Sequence, residues 1–430
     1  MNQPDRAQAR AQLFADRNFR WLLGGGVISM LGDQFTLIAL PWLVLKLTGD
    51  PMTLGLVMAA MSIPRAVFML IGGALVDRYS PKRVLMLTKH ANTLLLGTLG
   101  ICVLTGNLPL WGLYALAIGI GLATAFSYPS GSSIVPMTIP AEHLHAANGI
   151  LMGLRQLSVL IGPLTAGLLI ALFGHAGKDA VADATGLAIA FLFDAFSFAF
   201  SAWTLSKVQA LATGNAAETP AKVIHAIAEA LRHFWNDKAL RCLCLYYAGI
   251  AFFIGGPIQV ALPVVADTQL PNGAAGFGSL LAMHGAGTLV GMGLAGAKPN
   301  WRLGNLGMTL LAIDAAAGLL FLPLGQIHAL WQGGLMLFPV GIMAGFIQVA
   351  IFTWMQKRVP VAMLGRAMSL FMFIFMGLSP FSAALTGTLM KTLSAGQLFI
   401  AAGSALVALV VLALMFTPIR EIKDWRPETA

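Results

Sequence analysis

Long apolar stretches separated by short polar loops run through almost the whole chain. A membrane-spanning helix needs about 20 apolar residues, because the hydrocarbon layer is about 30 Å thick and a helix rises about 1.5 Å per residue. On this criterion the pattern predicts roughly twelve spans. They cover residues 20–46, 52–76, 83–105, 109–137, 146–173, 184–206, 240–266, 274–297, 303–324, 329–356, 364–391 and 395–417.

A polar stretch separates the sixth predicted span from the seventh. It begins with small and polar side chains and continues with a short amphipathic pattern, which is typical of a linker whose helix lies at the membrane surface. We therefore predict an all-α membrane protein with three parts. These are an N-terminal six-helix bundle over 1–206, a cytoplasmic linker over 207–238 and a C-terminal six-helix bundle over 239–430.

Composition supports a membrane protein. Only 10% of the 430 residues are charged, whereas 58% are hydrophobic. A soluble chain carries about 25% charged residues, so a soluble protein of several domains is excluded. The three cysteines all fall in apolar runs, and we expect buried free thiols with no disulfide framework and no metal site.

Lysine and arginine are concentrated at the termini and in alternate loops. The opposite loops hold only Lys46, Lys178 and Lys391. The positive-inside rule then predicts that both termini are cytoplasmic, which agrees with an even number of spans. Lys89 is counted here among the cytoplasmic loop residues. Because topology accounts for the basic residues, we expect no nucleic-acid partner.

The most specific motif lies in the turn between the second and third predicted spans. Asp77 is followed by Arg78 and Lys82, charges that cannot lie in lipid, and Gly73 allows close helix approach beside them. The run resembles the cytoplasmic loop signature of the major facilitator superfamily, written Gly-x-x-x-Asp-Arg-x-Gly-x-Arg/Lys. Ser80 stands where that family usually has glycine.

An internal repeat extends this resemblance over the chain. Three short patterns recur at an offset of about 220 positions. The matching segments are 73–78 with 293–298, 39–41 with 261–263, and 139–140 with 359–360. Two parallel six-helix halves with alternating access to a midplane cavity are the expected build of the superfamily. Because Ala297 replaces Asp77 in the second copy, we expect the ionisable gate in the first half.

The resemblance implies a cytoplasmic gate built on Gly73, Asp77, Arg78 and Lys82. In this gate Asp77 accepts hydrogen bonds from the start of the eleventh helix, near Arg366, because a helix N-terminus favours an anion. The cations pair with acids in one conformational state only. Breaking the gate would then shift the balance between inward-facing and outward-facing forms.

Charged residues inside the predicted spans are the main candidates for coupling. Asp33 lies near the midpoint of the first span, where a carboxylate costs about 2.5–3.5 kcal/mol and must face a cavity or a partner. It is either a proton-titrating or cation-binding group or half of a permanent structural ion pair. Arg65 and Arg155 could pair with it, as a fixed bridge or as one that breaks during transport. His284 could titrate near neutral pH or be a satisfied buried histidine.

Two further acids, Asp194 and Asp314, lie in the sixth and ninth predicted spans. These spans pack on the outside of the superfamily fold. We therefore expect both carboxylates to form structural hydrogen bonds with neighbouring helices.

The fifth predicted span carries small residues at helical spacing, namely Ser158, Gly162, Pro163 and Gly167. Small side chains let helices cross closely, and proline permits a bend. The run is similar to the Gly-x-x-x-Gly-Pro-x-x-Gly-Gly motif of the proton-coupled exporters in the superfamily, which favours antiport. Ordinary small-residue packing is the alternative.

Aromatic and amide side chains on the cavity helices of the superfamily are candidates for substrate contact, although core packing or lipid contact explains each at least as well. They are Phe35, Trp42, Tyr128, Gln259, Phe346 and Gln348. An aromatic cavity with few charges suits bulky, amphipathic substrates.

The regions around Asp33, Arg65, Asn148 and Asp194 resemble the branch that holds macrolide efflux proteins and enterobactin exporters. This implies export of hydrophobic or amphipathic small molecules by proton antiport, by a monomer of the bacterial inner membrane that needs no cofactor. The alternative is a lysophospholipid flippase or an uptake carrier of the same fold. A membrane enzyme would need a nucleophile or metal-ligand motif, and the chain contains none of the common ones.

Overall fold

A computed structural model describes residues 12–78, 80–174, 183–209, 232, 235–359, 371, 373 and 377–422. The regular elements in these ranges are all helices. Eleven of them are long and apolar enough to cross a membrane. The first part of the predicted span 364–391 falls largely outside the described residues, and its later part contains the helix Ser379–Leu389.

The first six predicted spans correspond to six helices. They are α1 (Arg17–Thr48), α2 (Pro51–Arg78), α3 (Pro81–Leu104), α4 (Leu110–Thr138), α5 (Leu144–Phe173) and α6 (Ala184–Ser206). A short 3₁₀ turn, Ala141–His143, links α4 to α5.

The seventh span consists of three consecutive helical pieces. They are α7 (Lys238–Gly256), a π-helical segment (Pro257–Ala261) and α8 (Leu262–Gln269). The later spans are α9 (Gly273–Ala297), α10 (Leu306–Phe321), α11 (Leu330–Arg358), α12 (Ser379–Leu389) and α13 (Ala395–Phe416).

The chain divides into two compact units. Unit 1 comprises Met1–Thr48 and Ala60–Glu218, and unit 2 comprises Gly49–Ala59 and Thr219–Ala430. The first turns of α2 therefore group with unit 2. They pack tightly there, because a Cβ added at Gly387 would lie only 2.6 Å from the carbonyl oxygen of Pro51.

Glycines allow α1 to lie directly against α6 in unit 1. A Cβ at Gly25 would lie 3.2 Å from Cα of Ser201, and one at Gly32 would lie 2.8 Å from Cβ of Ser197. Side chains larger than hydrogen at these two positions would force the helices apart. The same contact brings the middle of α1 next to the polar face of α6.

The irregular part of the seventh span has an identifiable cause. Pro257 cannot donate a backbone hydrogen bond, and the helix continues as a π-helical segment. Just before it, the N–H of Gly256 donates to the hydroxyl of Ser382 at 2.7 Å, and that hydroxyl donates to the carbonyl oxygen of Phe252. A side chain of α12 is thus inserted into the backbone hydrogen-bond ladder of α7, which is a recognised cause of helix distortion.

Candidate functional site

The mid-span carboxylate of α1 is the centre of a charged cluster in unit 1. The Asp33 side chain is exposed, although it lies midway along a helix long enough to span the membrane. Its electrostatic partners are three cations on three other helices, namely Lys89, Arg155 and Arg65. A carboxylate at this depth is tolerated where it faces water or opposite charge, and here cations of three other helices supply the opposite charge.

A second carboxylate belongs to the same cluster. Asp194 on α6 is only 1% exposed. One of its oxygens, Oδ2, accepts a hydrogen bond from the hydroxyl of Thr36 on α1. The other, Oδ1, accepts from Ser197 at 3.0 Å. Asp194 also interacts electrostatically with both Asp33 and Lys89.

Asp194 therefore accepts one hydrogen bond from a neighbouring helix, of the kind that the sequence led us to expect, and one from its own helix. Its place in one charged cluster with Asp33 was not expected from the sequence. The cluster contains two acids and three cations drawn from five helices. A change in the charge of either acid will therefore be felt on several helices at once.

The position expected for Lys89 was wrong. We counted it with the cytoplasmic loops, but α3 begins at Pro81 and Lys89 lies about 12 Å further along the helix. Its side chain is 9% exposed, with Nζ 5.6 Å from the centre of the Phe198 ring. The predicted span over 83–105 already included position 89. That placement was the signal that could have identified an intramembrane lysine.

The small-residue motif of α5 lies against the same part of α1. A Cβ added at Gly162 would lie 2.5 Å from both Cβ and Cγ of Gln34, the residue after Asp33. Ser158 is buried and donates to the carbonyl oxygen of Leu154 at 3.0 Å. Pro163 and Gly167 are buried as well. The motif is thus closely packed against α1 beside the charged cluster, and its connection with antiport stays a prediction.

Comparison with protein families decides where this architecture belongs. The sequence model of the Major Facilitator Superfamily matches residues 22–384. The chain belongs to the Major Facilitator Superfamily. The resemblance inferred from the loop motif and the internal repeat is confirmed.

Curated members of the superfamily align over nearly the full length. The chain is 22% identical to "Macrolide efflux protein A" of Streptococcus pyogenes, over 94% of this chain and 97% of that protein. It is 23% identical to "Multidrug efflux pump Tap" of Mycobacterium bovis, over 95% of each.

Solved structures of the superfamily share the fold. A bacterial homologue of the human lysosomal transporter Spinster superposes with a TM-score of 0.69 at 16% identity, covering 99% of this chain and 100% of the other. The all-α, multi-pass membrane architecture predicted from the apolar spans is confirmed. At this identity the likeness concerns the fold alone.

The superfamily loop motif is described in part. Gly73, Asp77 and Arg78 lie in the last turns of α2, and their side chains are outside the described set. Arg366 also lies outside the described residues. Lys82 donates from Nζ to the carbonyl oxygens of Val208 at 2.6 Å and Ser206 at 3.4 Å.

Lys82 therefore binds backbone carbonyls at the C-terminal end of α6, where a helix favours a cation. The pairing of the loop cations with acids in one conformational state stays a prediction. The gate formed by Asp77 and the eleventh helix remains a prediction of the superfamily resemblance.

Three of the aromatic residues expected to line a superfamily cavity are packed inside their units instead. Phe35 is buried against Phe193, with ring centres 4.6 Å apart. Trp42 is 1% exposed and donates from its indole to Oδ2 of Asp183 at 3.1 Å. Phe346 is buried as well. Sequence position on a cavity helix did not reveal that these rings point into helix contacts.

The two amides behave differently. Gln259, in the π-helical segment, donates to the hydroxyl of Ser379 at 2.5 Å and is partly exposed. Gln348 is exposed. Both keep their predicted role as possible substrate contacts, and the side chain of Tyr128 lies outside the described set.

Unit 2 has candidate titratable groups of its own within predicted spans, Asp314 and His284. Asp314 on α10 is buried and accepts from the hydroxyls of Tyr246 at 2.9 Å and Tyr247 at 3.1 Å, both on α7. These bonds give it the inter-helix contacts expected from the sequence. His284 is partly exposed on α9. Its role as a titrating group stays a prediction.

Proposed function

We propose that this superfamily member exports hydrophobic or amphipathic small molecules from a bacterial cell in exchange for protons. Two curated relatives named as efflux proteins, aligned along nearly their whole length, support the direction and the substrate class. The observation that carries the coupling mechanism is the exposed mid-span carboxylate of Asp33 facing cations on three other helices.

In this proposal Asp33 takes up and releases the coupling proton. When it is ionised, its charge attracts Lys89, Arg65 and Arg155 and so holds α1 to α3, α2 and α5. When it is protonated, that attraction is lost in a region of low dielectric constant, where ion pairs are strong. The proton therefore changes the relative stability of two arrangements of these helices, which is the requirement for coupling.

The substrate class rests on the two relatives, whose names describe a macrolide efflux protein and a multidrug efflux pump. Sites for such molecules are mostly apolar with a few polar groups. We place the transporter in the inner membrane as a monomer, with both termini in the cytoplasm.

The test is transport by inside-out vesicles under an imposed pH gradient, with a fluorescent cationic dye and a macrolide as substrates. Asp33→Asn removes the titrating group and keeps the shape. The matched control is Asp50→Asn, since Asp50 caps the start of α2 through the N–H groups of Met52 and Thr53 and asparagine caps equally well.

We expect gradient-driven accumulation in the wild type and in Asp50→Asn, and its loss in Asp33→Asn. Gradient-driven accumulation by Asp33→Asn would refute the assignment of the proton site. A wild type that accumulates neither compound would refute export of amphipathic drugs and leave the fold unaffected.

A further inference from the structure

The charged cluster contains two carboxylates with opposite access to solvent. Asp33 on α1 is exposed, whereas Asp194 on α6 is 1% exposed. A single titrating acid would suffice for the exchange proposed above. A second acid, closed off beside the first, calls for a physical reason of its own, because burying a carboxylate is costly unless it is paired.

Asp194 meets α1 at the turn that carries Asp33. A Cβ added at Gly32 would overlap Oδ1 of Asp194 and would lie 2.8 Å from Cβ of Ser197. Thr36, on the same face one turn later, donates its hydroxyl to Oδ2 of Asp194. The two carboxylates are therefore held at one level of the helix pair by backbone contact.

Lys89 is the cation that both carboxylates share. It interacts electrostatically with Asp33 and with Asp194. Its Nζ lies over the ring of Phe198, which is one turn from Asp194 on α6. The other charged groups of the cluster, Arg65 and Arg155, act on Asp33. Lys89 therefore interacts with carboxylates on both α1 and α6 and can connect the two helices electrostatically.

The buried face of α3 offers one more acceptor beside this lysine. Asn92, one turn after Lys89, is 1% exposed. Its Oδ1 has no hydrogen-bond partner among the described residues. A lysine ammonium has three donors, so Lys89 has enough donors for both carboxylates and for this amide oxygen. The unpartnered Oδ1 is an acceptor available to the ammonium if Nζ occupies different positions in different states.

We propose that Lys89 is a positioning cation shared by Asp33 and Asp194, and that Asp194 receives it when Asp33 is protonated. This rests on the proposed role of Asp33 as the coupling carboxylate. With Asp33 ionised, Lys89 links α3 to α1. With Asp33 neutral, Asp194 is the remaining negative partner, and Lys89 links α3 to α6. Protonation of an accessible group on α1 is thereby transmitted to a closed group on α6.

The pH profile of transport distinguishes this role from a structural one. Asp194→Asn leaves Lys89 entirely to Asp33, so we expect the midpoint of the profile to move to lower pH. Lys89→Met removes a cation from Asp33, so the midpoint should move to higher pH. Each shift should be about one pH unit, the lower end of the effect of a nearby opposite charge.

Two matched variants serve as controls. Thr36→Val deletes the hydrogen bond to Asp194 and keeps every charge, and should leave the midpoint unchanged even if transport slows. Asp314→Asn neutralises a buried acid of unit 2 and should also leave the midpoint of the pH profile unchanged. Size-exclusion profiles establish which variants fold. If Asp194→Asn does not fold, the direction in which Lys89→Met moves the midpoint decides whether the inference stands.

The measurement is dye transport by the full-length protein in proteoliposomes at a series of pH values with a fixed gradient. A wild-type midpoint in folded Lys89→Met would overturn the inference, as would the same midpoint in Asp194→Asn. If Asp33→Asn is uncoupled while both of these variants keep the wild-type midpoint, only the shared-cation inference fails. If Asp33→Asn remains coupled, the proposed function itself fails.

Discussion

Alanine at position 32 would place a methyl group inside the contact between α1 and α6. The added carbon would lie 2.8 Å from Cβ of Ser197 and closer still to Oδ1 of Asp194 and Oγ of Ser197. Real side chains do not approach this closely, so α1 must move away from α6. The movement would strain or break the hydrogen bond from Thr36 to Asp194, which lies one turn further along.

The cost has two parts. Overpacking a well-filled contact costs about 1–3 kcal/mol. Loss of a buried hydrogen bond to a charged group costs about 1.5–3 kcal/mol. Because movement of the helices relieves part of the strain, we expect a total of about 2–5 kcal/mol. The variant should therefore be clearly less stable than the wild type, and its transport should be slow because the charged cluster is displaced.

The matched control is Gly26→Ala on the same helix, since a Cβ there meets nothing within 4 Å. We would heat both variants in detergent and measure the fraction that remains monodisperse by size exclusion. Transport of the same dye would follow in vesicles. If Gly32→Ala survives heating as well as Gly26→Ala and transports at the wild-type rate, the proposed close contact of α1 with Asp194 is refuted.

The remaining predictions concern α5 and the start of α7 in unit 2. Gly162→Ala should slow transport, because its Cβ would lie 2.5 Å from Cβ of Gln34. The control is Gly153→Ala, whose Cβ would meet nothing within 4 Å and which should transport at the wild-type rate. Equal transport rates in the two variants would contradict the packing role of the motif. Burial raises the pKa of Asp237, but hydrogen bonds from Arg358 and two backbone N–H groups outweigh it and hold the pKa below its ordinary value. The stability that Asp237 contributes should thus be complete above about pH 4 and be lost as the pH falls further, so heat resistance of the wild type and Asp237→Asn should converge in acid. A difference in heat resistance that persists unchanged at pH 3 would refute this. Asp237→Ala should be less stable than Asp237→Asn by about 1 kcal/mol, because it also removes the cap of α7.

The position of Asp237 illustrates how the two halves use different chemistry at related places. In unit 2 Asp237 precedes α7 and bonds Arg358 at the end of α11, with distances of 2.8 and 3.1 Å. In unit 1 Asn18, at the start of α1, donates to the carbonyl oxygen of Thr138 at the end of α4, at 3.1 Å. The first and fourth helices of each half are thus joined at one end, by an ion pair in one half and a neutral hydrogen bond in the other.

Several features could be predicted from the sequence because they depend on local rules. The length of each apolar stretch predicted its span, and eleven helices of sufficient length are described. Asp33 could be singled out as a residue in need of water or a charged partner, because this holds for any carboxylate in the middle of an apolar helix, wherever the other helices lie. Gly162 could be identified because small residues at helical spacing permit close packing with any partner helix.

Other features depended on how the helices are rotated against one another. The pattern of apolar residues in a membrane helix carries little information about rotation, because lipid and protein neighbours are equally apolar. For that reason the sequence left open whether Trp42 lines a cavity or packs in the core, and the structure shows its indole bonded to Asp183 inside unit 1. The insertion of the Ser382 hydroxyl into the ladder of α7 left no trace in the sequence of either helix.

The charged cluster shows most clearly which properties follow from the sequence and which follow from the fold. Each of its acids and cations is visible in the sequence as a costly residue within a predicted span, including Lys89 within 83–105. Which of them are partners was decided only when α1, α3 and α6 packed together and brought Asp33, Lys89 and Asp194 to one level. Charge within a span is a property of the chain, but its neutralisation depends on side chains from several helices and is therefore a property of the fold.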